Sequence, residues 1–163
     1  NPCPCGYYNH PEKDCVCSPG NVQNYLNRIS GPLMDRIDLH VEVTPVAFDD
    51  LSTKSSGESS NKIRPRVIIA RNIQKERFEK AGNIYCNSQM SSKDIANYCM
   101  LNSNGKTLLK LAMEKLNLSA RAYDRIIKVS RTIADLGASK DIKNDHLAEA
   151  IQYRSLDRDN WGS

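Results

Sequence analysis

No run of about 18 apolar residues occurs anywhere in this chain, which excludes a membrane-spanning helix. The opening Asn1-Pro2-Cys3-Pro4-Cys5 has neither the basic start nor the apolar middle of a secretory signal. The chain is therefore read as cytoplasmic, with no membrane partner. Aromatic side chains are scarce, two Phe and one Trp beside seven Tyr, so no series of rings is offered on which bases would stack. Charge of one sign is lacking as well. The 23 Lys and Arg against 19 Asp and Glu leave a net +4, enough to tolerate an anionic partner and too little to announce one. There is no initiating Met before the cysteine motif that begins at residue 3, and the expectation is a piece of a longer polypeptide.

What is present suffices for a core. A chain of 163 residues hides about two thirds of its unfolded surface, as one domain or two small ones. The stretch 21–28 looks helical and is punctuated by Ser30-Gly31-Pro32. Ile37, Leu39, Val41 and Val43 then alternate with Asp38, His40 and Glu42, the period of a strand with one face in a core, ended by Pro45. Residues 47–62, rich in Ser, Gly and charge, read as a linker. Beyond them the period becomes helical. Val67, Ala70, Phe78 and Ala81 share a face of a helix predicted to start near Pro65. Further helices are predicted over 92–100, 106–116, 119–136 and 144–154. In the third of these, Leu118, Ala122, Ile126, Val129, Ile133 and Leu136 form the expected core stripe, Ser119 the N-cap, and Gly137 a left-handed C-terminal stop.

Cys3-x-Cys5 and Cys15-x-Cys17 form two paired-thiol arms joined by a turn, a set able to close a tetrahedral metal site, for which zinc is the natural ion. The one-residue spacing departs from the usual two-residue knuckle. Two disulfides or unliganded thiols are the alternatives, and His10 stands near enough in sequence to replace one cysteine. Four thiolates leave no open position for catalysis. Cys86 and Cys99 are isolated and read as buried or incidental.

Three blocks, Asn1-Pro2-Cys3-Pro4-Cys5-Gly6-Tyr7, Ser30-Gly31-Pro32-Leu33-Met34-Asp35-Arg36-Ile37-Asp38-Leu39-His40, and the run from Leu118 to Leu136, resemble in order the C-terminal half of magnesium-chelatase-like AAA+ ATPases, the ComM/YifB family. Leu147 to Arg154 fits as well. The resemblance implies a mainly α fold: a C-terminal helical bundle, the AAA+ lid, preceded by a fragment of an α/β AAA+ core with one clear strand. Residues 1–46 would be the core remnant carrying the cysteine knuckle and finger, 47–62 the linker, and 63–163 the helical lid of the magnesium chelatase C-terminal type.

By the same resemblance Asn1 corresponds to sensor 1, which orients the attacking water, Arg36 to the arginine finger, and Arg121 to sensor 2. A guanidinium from a neighbouring subunit suits phosphoryl transfer because charge spreads over the γ-phosphate oxygens. On spacing alone Arg36 would instead pair with Asp35 or Asp38. Arg121, Arg125 and Lys128 share one helical face, a cationic strip suited to phosphate; for the latter two a solvated face is the plainer reading.

The phosphate-binding loop is missing. Gly105-Lys106-Thr107 imitates its end, but the motif needs Gly where Met100 stands, after a strand. No apolar strand ends in Asp-Glu to hold magnesium. By the family's order both motifs lie before Asn1, so this piece is expected neither to bind ATP tightly nor to hydrolyse it. ATP and Mg2+ are implied for the intact parent only. The expected function is the sensor, finger and lid part of a ring-forming, DNA-remodelling motor whose partners are the other subunits of its ring. Metal insertion into porphyrin is the family's alternative job. The alternative of another class is a non-catalytic zinc-knuckle module contacting nucleic acid through Lys62, Arg64, Arg66, Arg71, Lys75, Arg77 and Lys80, with DNA as partner.

Overall fold

The computed structural model describes residues 2–8, 10, 12–41, 43, 46 and 57–154. Among them stand seven α-helices, one 3-10 turn and no strand, so the protein is mainly α. Helix α1 (Pro19–Leu26) opens with proline in its first turn, and the Ser18 hydroxyl accepts from the Asn21 amide at 3.3 Å. A single turn, α2 (Gly31–Met34), follows.

The described residues of the alternation, 37–41 and 43, are not in a strand. Ile37, Leu39, Val41 and Val43 remain exposed, the last at 85%. A strand needs a ladder partner for its backbone groups, and none of the described segments offers one. Instead the His40 amide donates to the Tyr153 carbonyl at 2.8 Å, docking the segment on a helix end. Glu42 and Pro45, and most of the expected linker, lie outside the described residues.

Helix α3 (Ser60–Phe78) begins five residues before the expected start and runs through Pro65. Proline there removes one amide and leaves the Asn61 carbonyl without its helical donor; residues 60–69 are exposed, so water serves that group. A 3-10 turn (Asn87–Gln89) leads to α4 (Ser92–Tyr98), started by a reciprocal capping box between Ser91 and Asp94. In α5 (Ser103–Lys115) the Asn102 side chain accepts from the Gly105 amide at 2.7 Å. Gly105 is therefore a buried first-turn residue whose N–H is already taken, which rules out a phosphate cradle at Gly105-Lys106-Thr107.

Helix α6 (Ala120–Leu136) is the spine: α3, α4, the 3-10 turn and α7 (Asn144–Gln152) pack on it, and α5 packs on α7. Its N-cap is Ser119, accepting from the Ala122 amide at 3.2 Å. The core joins Phe78, Met90, Ile95, Cys99 and Leu109 to Ile126, Ile127, Ala134, Ile142, Leu147 and Ala150. Fully burying each large aliphatic residue contributes about 1.5–3 kcal/mol.

The expected stripe on α6 is displaced around the helix. Ala122 and Ile126 are buried, but the buried face continues through Ser130, Arg131, Ala134 and Asp135, while Leu136 is 44% exposed. The cause is a polar network. Asp135 receives Arg77 from α3 at 2.5 and 2.7 Å and the Arg131 Nε at 3.1 Å. Asn87 adds a bond to the same carboxylate at 2.8 Å, and the Arg131 guanidinium also donates to the Ser139 and Lys140 carbonyls. The stop differs too. Gly137 keeps a negative φ, and Ala138 takes the left-handed conformation at φ 48°. Ser139 N bonds Ala134 O and Ala138 N bonds Asp135 O, so the Schellman turn falls one residue later than the glycine.

Candidate functional site

Two places concentrate the expected site residues. The first is the cysteine turn. Cys3 is buried, Cys5, Cys15 and Cys17 are partly buried, and their four sulfurs lie within 4.8 Å of one another. The Sγ separations of Cys3–Cys5, Cys5–Cys15 and Cys15–Cys3 are 3.3, 3.5 and 3.7 Å. Four sulfurs about 2.3 Å from a tetrahedral zinc stand about 3.8 Å apart, so the cluster fits such an ion and excludes disulfides in this arrangement. The Tyr7 amide and then the Cys3 thiol hold Cys5 down to about 6. Cys15, although the Cys17 amide pulls it down, is pushed up to about 12 by desolvation and the adjoining Cys5 and Cys3 thiols. Thiols this close resist a second ionisation unless a cation neutralises them. The four cysteines can therefore hold a metal ion such as zinc. His10 Nδ1 instead accepts from the Glu12 amide at 3.1 Å. Cys99 sits in the core, its thiol pushed up to about 11 by burial.

The second place is a groove of about 530 Å³ between α6, the end of α7 and the segment after α2. Arg121, Arg125 and Lys128 all line it, over an apolar floor that includes Val129, Ile133 and Leu136. This accounts for the half-exposed part of the stripe. The three cations are not equivalent. Arg125 pairs with Asp38, Lys128 donates to the Ser88 carbonyl at 3.0 Å, and the exposed Arg121 guanidinium has no partner among the described residues.

Arg36 follows α2 and is exposed. Its guanidinium donates to the Pro32 carbonyl at 2.9 Å, while Asp38 is taken by Arg125. Asn1 lies outside the described residues. The structure thus gathers the cysteines into one cluster and puts Arg121 in a groove whose wall includes Asp38, two residues beyond Arg36.

Two long-range contacts of the segment after Arg36 escaped the sequence reading. Asp38 was expected to point outward from a strand, yet it meets Arg125. Arg154, expected only as a helix-end residue, is completely buried and donates to the Ile37 carbonyl. The only sequence signal for either is a charged residue beside an apolar repeat, which does not name a partner. The densest basic segment is also divided. Arg77 is withdrawn into the Asp135 network and Arg66 bonds Glu58 at 2.6 Å, while Arg64, Arg71 and Lys75 lie exposed along one face of α3.

No helix among the described residues is long and apolar enough to cross a membrane. Residues 57–154 match the family described as magnesium chelatase, subunit ChlI C-terminal, and residues 1–51 match magnesium chelatase, subunit ChlI. The chain is 45% identical over 159 residues to competence protein ComM of Haemophilus influenzae. It is 40% identical over 162 residues to the uncharacterized protein YifB of Escherichia coli and 39% identical over 161 residues to YifB of Salmonella typhimurium. Each alignment covers 97% of this chain and 30% of the relative, so the chain spans about a third of the length of these relatives.

Proposed function

Since the chain belongs to the magnesium chelatase subunit ChlI family, we propose that it is the C-terminal portion of a ring-forming AAA+ ATPase, in which α3 to α7 form the lid. Arg36 is its arginine finger, Arg121 its sensor 2 and Asn1 its sensor 1. The observation that carries this reading is the state of the two guanidiniums: Arg36 is exposed and donates to the Pro32 carbonyl, and Arg121 is exposed and has no partner among the described residues. An arginine held this way keeps its charge for an external phosphate. ATP and Mg2+ belong to the parent polypeptide, whose phosphate loop precedes this chain. The similarity to a protein named for competence favours a DNA-remodelling motor over insertion of metal into porphyrin.

The test is complementation between subunits of the full-length protein. Arg36→Ala rings should assemble but lose hydrolysis by about a thousandfold. Mixing them with subunits lacking the phosphate-loop lysine should restore turnover, because each supplies what the other lacks across the interface. Normal hydrolysis by Arg36→Ala alone would remove the finger.

Cys3, Cys5, Cys15 and Cys17 hold a structural zinc in this reading. A second reading, direct contact with DNA, rests on Arg64, Arg71 and Lys75, exposed at helical spacing and without partners among the described residues. Fluorescence titration at two salt concentrations tests it: binding that weakens steeply with salt and is reduced by Arg71→Ala is expected, and no binding at low salt removes the reading.

A further inference from the structure

We propose that Asp38, Arg125 and Arg154 are positioning residues that fasten the Arg36 segment to the Arg121 helix, so that finger and sensor move as one body; the proposal rests on the finger and sensor reading above. Three contacts between distant parts of the chain carry it. The Arg154 guanidinium donates to the Ile37 carbonyl, Asp38 pairs with Arg125, and the His40 amide donates to the Tyr153 carbonyl at 2.8 Å. They fall on three of the four residues directly after Arg36, and their other ends are on α6 and just beyond α7.

The contacts differ in kind. Asp38 and Arg125 are both part-exposed, and an exposed pair contributes little to stability. A side chain as buried as Arg154 is a fixed strut, in contrast, since it is entirely shielded from solvent. The pair is thus weak as glue but well sited as a register. Arg125 lies one helical turn after Arg121 on the same face, and Asp38 lies two residues after Arg36. A displacement of α6 on meeting a nucleotide at Arg121 is passed through this pair to Arg36, which would reach into the neighbouring site.

Phosphoryl transfer punishes misplacement, with about 1 Å of error costing about a hundredfold in rate. Loosening the seam should therefore lower kcat while leaving ATP affinity alone. The experiment uses the full-length protein and compares Asp38→Asn, Asp38→Arg, Arg125→Asp and the Asp38→Arg/Arg125→Asp double variant, with Arg36→Ala as reference. Each single variant should assemble and lose about tenfold or more in kcat with KM changed by less than about twofold, and the double variant should regain most of the rate. Asp38→Asn keeps the size and removes only the charge, so a folding failure of the reversed-charge variants leaves the test in place. If Arg36→Ala abolishes hydrolysis while Asp38→Asn hydrolyses normally, or if the double variant does no better than the singles, the seam is overturned and the finger stands. If Arg36→Ala hydrolyses normally, the finger falls and the seam with it.

Discussion

Arg77 reaches from α3 to Asp135 on α6 with two nitrogens, 2.5 and 2.7 Å from the two carboxylate oxygens, across 58 positions of sequence. Asp135 is fully buried and is shared with Arg131, so one anion serves two guanidiniums. Removing Asp135 would leave both cations facing each other without an anion, whereas removing Arg77 leaves the Arg131 pair in place. Breaking a buried pair from one side costs about 3–5 kcal/mol. Asp135→Ala should fall in or above that range and Arg77→Ala below it, measured by urea unfolding; equal costs would show that Arg131 does not share the charge.

The cysteine cluster makes a prediction about content. One zinc per chain should be found by atomic emission after purification without chelator, and Cys15→Ala should lose it. Because the ligands are thiolates, acidification should release the metal as protons compete for sulfur. A well-folded chain that stays metal-free when zinc is supplied would sink the assignment.

Ala138 holds a backbone conformation that costs an L-residue about 1–2 kcal/mol, of which part is returned by the extra freedom glycine has when unfolded. Ala138→Gly should therefore stabilise by about 0.5–1 kcal/mol, raising Tm by a few degrees. Gly137→Ala should be nearly neutral, since φ there is ordinary and the nearest atoms to an added Cβ are at 3.7 Å. The reverse order of effects in calorimetry would place the turn at Gly137 after all.

The Asp94 carboxyl is held below its ordinary value of 3.8 by the Ser91 hydroxyl and then the Ser91 amide. A depressed acid contributes stability that is fully present above 3.8 and is lost as pH falls through the lower folded value. Protection of the α4 amides, corrected for the intrinsic pH dependence of exchange, should fall below that point, and Asp94→Asn should show the lower protection at neutral pH with no further loss on acidification. Protection that ignores both pH and substitution would mean the box does not hold the helix.

Local features of this fold were legible and distant pairings were not. Ser119, the helical punctuation near Ser30, and the helices themselves follow from residues within a few positions of one another. Leu136 was expected inside because apolar spacing is a local signal, but α6 turns Asp135 inward to meet Arg77, which no window around α6 contains. The described residues of the expected strand are not in one for the same reason: alternation specifies two faces, and pairing requires a second segment. Pro65 was expected in a first turn, and the exposed surroundings that let α3 pass through it are a property of the packing. At the site, cysteine spacing revealed the cluster, while Asp38 and Arg154 disclosed nothing until their partners were placed.

The apolar residues left uncovered between Ile37 and Val46 have a consequence at the bench. They combine high β-propensity with exposure to solvent, the composition by which segments of separate molecules associate into sheets. Handled alone at high concentration, this polypeptide should form thioflavin-positive aggregates seeded from that tract, and replacing Val41 and Val43 with lysine should keep it dispersed.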